Sequence, residues 1–331
     1  MSRSKLRHLG IDLPLLPTTS VGSFPKPDYL VKARADFNQG KIRAVDLEEA
    51  EKRAIEFWIG KQEELGVDVL VDGEMYRGDM VAYFADQLSG FEQGGLVRSY
   101  GNRYYHKPII VGEVKWKGPI TVKWWRYAQG LTSKPVKGIV TGAYTLMDWS
   151  FNEFYATRRH VCLALAKEVR KEVEALIRAG CKVIQIDEPA ISARPDELPL
   201  AIEAMQTTTQ DFEAYFITHI CYGDFASIYP GMLDLAVDNF DLEMSNSGLD
   251  MLRLFRKKAF TKDISYGVVD VHSHFVEERS TVEERLKKGL EILPRENVWV
   301  DPDCGLKTRT VDEAIAKLRM AVSVARIFRE A

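Results

Sequence analysis

The chain of 331 residues carries 45 basic and 48 acidic side chains, a net charge of −3, and is 46% hydrophobic. It has no long basic block to follow a phosphate backbone or an anionic membrane, so a small-molecule ligand is favoured over nucleic acid or lipid. No apolar run approaches the roughly 20 residues that span a bilayer, no signal-peptide core follows the start, and the four cysteines are dispersed, so a cytoplasmic protein with reduced thiols is expected.

The first strand-like stretch, 15–25, is an extended run that closes on Gly22, Ser23 and Pro25. Helical spacing over 41–65 (Ala44, Leu47, Ile55, Trp58, Ile59) stops at Gly66, and a strand over 67–71 follows at once. Strand patterns at 137–141, 182–186, 215–220, 240–244, 265–271 and 298–301 bring the total to eight. Helical patterns at 153–179, 199–212, 249–258, 281–293 and 311–328 separate most of them. This alternation predicts an α/β fold, a single (β/α)8 TIM barrel over 1–331. Residues 91–130, rich in Tyr, Trp and Gly, break the repeat and predict a β-rich insertion between the second and third strands.

In a barrel of this kind functional groups gather where strands end. Ser23, Glu74, Asp187, Glu188, His219, Cys221, Glu243, His272 and Cys304 all follow strand-like runs in this way. His219 and Cys221 are two residues apart, so an extended backbone points them to the same side. With Glu243 and Cys304 they make one imidazole, two thiolates and a carboxylate, a donor set that suits zinc. Zinc would stabilise a substrate thiolate near neutral pH, whereas a closed four-ligand site would be structural. Asp187 and Glu188 suit either an ammonium ligand or a helix cap, and Glu74 shares that ambiguity. His272 suits either a proton donor beside a metal or a hydrogen-bonded rim residue. Cys162 and Cys181 read as packing residues.

The runs Pro17-Thr18-Thr19-Ser20-Val21-Gly22-Ser23-Phe24-Pro25, Gln185-Ile186-Asp187-Glu188-Pro189-Ala190, His219-Ile220-Cys221 and Asp301-Pro302-Asp303-Cys304-Gly305-Leu306-Lys307-Thr308-Arg309 resemble the C-terminal catalytic half of cobalamin-independent methionine synthase, over nearly the whole chain. The resemblance implies a zinc barrel that moves a methyl group to L-homocysteine, with His219, Cys221, Glu243 and Cys304 on the metal. It assigns the amino-acid part of homocysteine to Val21, Gly22, Ser23, Glu74 and Asp187, and proton donation to His272. Arg103 and Trp149 match methyl-donor contacts. Tyr104 stands where the family has a small residue and Ala193 where it has an acidic one. The expected form is therefore the short, mainly archaeal one without an N-terminal barrel. Its expected donor is methylcobalamin or a methylated corrinoid protein, ahead of methyl-tetrahydrofolate.

Two other readings compete. An alkyltransferase for another thiol, such as coenzyme M, would keep the zinc, but an anionic sulfonate is poorly matched to Glu74 and Asp187. A non-catalytic zinc protein would have no use for His272.

Overall fold

The computed structural model describes residues 2–98, 104–221 and 223–330. The chain divides into two compact units, each assembled from separated stretches. One comprises Met1–Tyr76, Trp124–Lys137 and Asp241–Ala331, the other Arg77–Lys123 and Gly138–Phe240.

In the second unit the strand Gly138–Thr141 pairs in parallel with Val183–Asp187, which pairs in parallel with Tyr215–Ile220. Every residue of these strands is buried, which is why they read as near-continuous apolar runs without alternation. The register places Thr141 beside Asp187 and Asp187 beside His219, so the polar strand ends lie level with one another. The helix Arg158–Arg178 begins at Thr157, whose hydroxyl accepts from the His160 N–H at 3.2 Å, and it buries Val161, Leu165, Val169, Val173 and Leu176 on one face.

The boundary between the units falls within the strand Asn239–Leu242, after Phe240. In the first unit Asp263–Val269 pairs in parallel with Val298–Pro302. The first two expected strands are each reduced to a single parallel bridge, Thr18 with Val300 and Leu70 with Val136. Side chains add to their backbone hydrogen bonds. The Asp68 carboxylate accepts from the Thr18 N–H and hydroxyl, both at 2.8 Å, and the Gln62 amide exchanges hydrogen bonds with Val71 O and N at 2.8 and 2.9 Å. Gln62 lies on the helix Ala44–Leu65, which ends at Gly66 in the left-handed conformation, as its spacing implied. The other expected helices are present as Leu198–Thr209, Met251–Lys257, Arg279–Leu290 and Val311–Glu330. The fold is thus α/β with a parallel sheet.

The excursion starts earlier than its sequence suggested and is not β throughout. Leu88–Glu92 pairs antiparallel with Ile109–Trp116, and Leu96–Arg98 with Tyr104–His106. The stretch Val122–Gln129 is a helix. Its aromatic residues suggested strand, but Trp124, Trp125 and Ala128 are buried at helical spacing.

Glu172 ties the strand Ile109–Trp116 and the turn after it to the helix Arg158–Arg178. Its buried carboxylate accepts from Trp116 Nε1 (2.9 Å), Ile120 N (2.8 Å), Thr121 N (2.7 Å) and Thr121 Oγ1 (2.9 Å). Glu172→Leu strands these donors, and with a cost of about 1 kcal/mol or more for each buried donor left unpaired, urea unfolding is expected to show a loss of about 3 kcal/mol or more. An unchanged midpoint would mean that solvent reaches the turn.

Candidate metal centre

In the second unit His219 is the fifth residue of the strand Tyr215–Ile220, and Cys221 follows its end; both are buried. In the first unit Cys304 lies two residues beyond the strand Val298–Pro302. A ring nitrogen of His219 and the Sγ atoms of Cys221 and Cys304 all lie within 4.8 Å of one another. One imidazole and two thiols at this spacing, largely shielded from water, fit zinc and fit poorly the hard oxygen-seeking cations. Glu243 stands outside this group. Its buried carboxylate accepts from Asn246 Nδ2 at 2.5 Å and lies 3.6 Å from His272 Nδ1.

His272 sits three residues past the strand Asp263–Val269. Its Nδ1 lies 3.0 Å from Asp270 Oδ1, which also accepts its backbone N–H at 2.7 Å. This contact orients the ring and leaves Nε2 as its other polar atom. The Ser23 and Glu74 loops are fastened together, because the N–H of Phe24 donates to Gly73 O at 3.1 Å. Leu306 N in turn donates to Ser23 O at 2.7 Å, which brings the Cys304 loop alongside. Val21, Gly22, Ser23 and Glu74 are buried, and Glu74 takes a positive φ of 59° that a non-glycine residue adopts rarely.

The two carboxylates at 187 and 188 separate in role. Glu188 is a helix cap: its Oε1 accepts from Tyr144 N (3.1 Å), and its Oε2 from Thr145 N (2.8 Å) and Thr145 Oγ1 (2.7 Å). Burial pushes it up to about 7, against the pull of those donors. Asp187 accepts from Gln185 Nε2 at 2.7 Å and lies 3.6 Å from Arg77 Nη2. Arg77 is fully buried, and the sequence reading passed over it because it follows a Gly-Glu turn and precedes glycine, the setting of a surface arginine. The signal that could have found it is the counter-charge a buried Asp187 requires.

Asp303 was also missed. Its carboxylate takes four hydrogen bonds from residues 244–246, and burial still pushes it up to about 8. Cys162 and Cys181 are buried with their thiols pushed up by desolvation, in keeping with packing roles. Trp149 follows the helix Ala143–Asp148, its ring centroid 6.5 Å from that of Tyr105. Arg103 lies outside the described residues. Among the described residues no helix is long and apolar enough to cross a membrane.

Residues 16–327 match the family model described as "Cobalamin-independent synthase, Catalytic domain". The chain belongs to this family. It is 42% identical over 342 residues to the 5-methyltetrahydropteroyltriglutamate--homocysteine methyltransferase of Actinobacillus pleuropneumoniae serotype 7, covering 99% of this chain and 45% of the relative. The Neisseria meningitidis serogroup C protein of the same name is 41% identical, again over 99% and 45%. The chain therefore spans a little under half the length of these curated relatives. Among solved structures, a B12-independent methionine synthase from Shewanella sp. W3-18-1, in complex with selenomethionine, superposes with a TM-score of 0.86 at 24% identity, over 96% of this chain and 98% of that one. The likeness shows that the chain shares its fold, the barrel type expected from the strand count. The relatives' names correct one expectation: they specify a methylated pteroyl donor where the sequence reading put a corrinoid first.

A tight contact inside the second unit supports a test. A Cβ added to Gly142 would lie 2.1 Å from Glu188 Oε1. Gly142→Ala is expected to drive the carboxylate off its cap and to cost about 1–3 kcal/mol in thermal or urea unfolding, the range for overpacking a filled interior. Wild-type stability would mean the cap relaxes at no cost.

Proposed function

We propose that this chain is a zinc-dependent methyltransferase that converts L-homocysteine to methionine, with a 5-methyltetrahydropteroyl glutamate as the methyl donor. The observation that carries the reading is the cluster of His219, Cys221 and Cys304 in a chain of this family. Names of relatives at 41–42% identity support the acceptor and the donor.

In this reading His219, Cys221 and Cys304 would hold the zinc, with Glu243 as a further donor. Zinc held there would supply a lower pKa for the homocysteine thiol near neutral pH. Val21, Gly22, Ser23, Glu74 and Asp187 bind the amino-acid end of homocysteine, with the carboxylates turned to its ammonium group. The methyl carbon leaves the pterin nitrogen as it bonds to sulfur, and that nitrogen needs a proton. His272, oriented by Asp270 through Nδ1, supplies it from Nε2. Trp149 and Arg103 contact the donor.

We propose further that residues 1–331 work as one barrel, with an excursion that includes 91–130. An unbroken match over residues 16–327 supports this.

Zinc-loaded chain is expected to form methionine from homocysteine and the methylated pteroyl glutamate, and not from methylcobalamin. Turnover with methylcobalamin alone, or none with either donor, would refute the donor or the activity respectively. Cys304→Ser is expected to lose most bound zinc and, with it, at least about 100-fold in turnover. Full metal content and activity in that variant would remove Cys304 from the site.

A further inference from the structure

We infer that Asp303 and Asn246 are positioning residues for the metal centre: Asp303 fixes the turn that carries Glu243 beside the Cys304 loop, and Asn246 holds the Glu243 carboxylate. The inference rests on the metal assignment proposed above and names two residues that assignment does not use.

Asp303 immediately precedes Cys304, and the segment it binds immediately follows Glu243. Its Oδ1 accepts from Met244 N at 3.0 Å and Ser245 N at 2.9 Å. Its Oδ2 accepts from Asn246 N at 2.8 Å and from the Ser245 hydroxyl. Three successive backbone N–H groups thus converge on one fully buried carboxylate, fixing the course of the chain directly after Glu243. The turn brings the Asn246 side chain back so that Nδ2 donates to Glu243 Oε1 at 2.5 Å.

The neighbouring strand is shaped to admit this carboxylate. A Cβ on Gly267 would lie 2.3 Å from Asp303 Oδ1 and 2.7 Å from Asp303 Cα, so only glycine leaves room for it. A purely structural role would need neither the return contact from Asn246 nor its aim at the carboxylate next to His272. The arrangement is that of an outer partner that orients a metal-binding group.

The test uses the full chain loaded with zinc or with Co2+. Asp303→Asn offers one acceptor oxygen and sets an NH2 against two of the four donors. Asn246→Ala keeps every hydrogen bond to Asp303 and releases only Glu243, so it protects the test if Asp303→Asn fails to fold. Both variants are expected to lose roughly 10- to 100-fold in zinc affinity, measured by competition with a chromophoric chelator. In the Co2+ forms the ligand-field bands are expected to shift, while the thiolate-to-cobalt charge-transfer band stays. Asn246→Ala should unfold at the wild-type temperature without metal.

Wild-type zinc affinity and cobalt spectrum in a folded Asn246→Ala protein would overturn the inference and leave the proposed function standing. A wild-type chain that bound no stoichiometric zinc would overturn the metal assignment, and the positioning roles with it.

Discussion

A parallel strand covered on both faces can carry polar side chains only if each brings its own partner, and the rest of this structure follows from that constraint. The strands Val183–Asp187 and Tyr215–Ile220 are buried at every position. Within them Thr218 Oγ1 donates to Ile186 O at 2.9 Å and Gln185 to Asp187, so the interior stays satisfied. Polar groups then concentrate where the ladder stops. Asp187, His219 and Cys221, Glu243, His272 and Cys304 all lie at a strand end or within three residues of one.

That constraint also governs what could be read from sequence. Fully buried strands are apolar runs, and long helices such as Ala44–Leu65 and Val311–Glu330 show their period directly. The strands at 15–25 and 67–71 each keep one bridge, and the Asp68 and Gln62 side chains pair further backbone groups there, which no periodicity reports. The pair His219 and Cys221 was legible because both lie on one short extended run. Arg77 and Asp303 were not, because their meaning depends on partners far away in sequence. Asp303 is 57 to 59 residues from the groups it binds, and nothing local separates it from an ordinary acidic loop residue.

The donor expectation departs from the relatives' names for a related reason. It rested on the expected lack of an N-terminal barrel and on Tyr104 and Ala193, two residues read against a family pattern without their surroundings. Tyr104 is 66% exposed on a two-stranded ribbon, and Ala193 is also exposed. A substitution at an exposed position changes little free energy unless a ligand is already known to press on it. Such positions are weak witnesses to which donor binds, whereas the strand-end residues that carried the family resemblance are strong witnesses to the family.

The acidic groups here are held by several kinds of partner, and the difference bears on chemistry. Asp187 faces an arginine, Glu188 and Asp303 take backbone N–H groups, and Glu243 takes an amide with an imidazole beyond it. Partners of the backbone kind are dipoles fixed by the fold, so they do not reorganise when charge arrives or leaves. Each carboxylate so held is oriented before any ligand binds, and its position is then a property of turns such as 244–246. For the proposed methyl transfer to a thiolate, the negative charges of the site must be kept at fixed distances, since a carboxylate free to swing toward the reacting sulfur would oppose the charge there. Fastening Glu243 through the Asn246 amide, itself carried on the turn that Asp303 holds, would meet that need with a neutral donor.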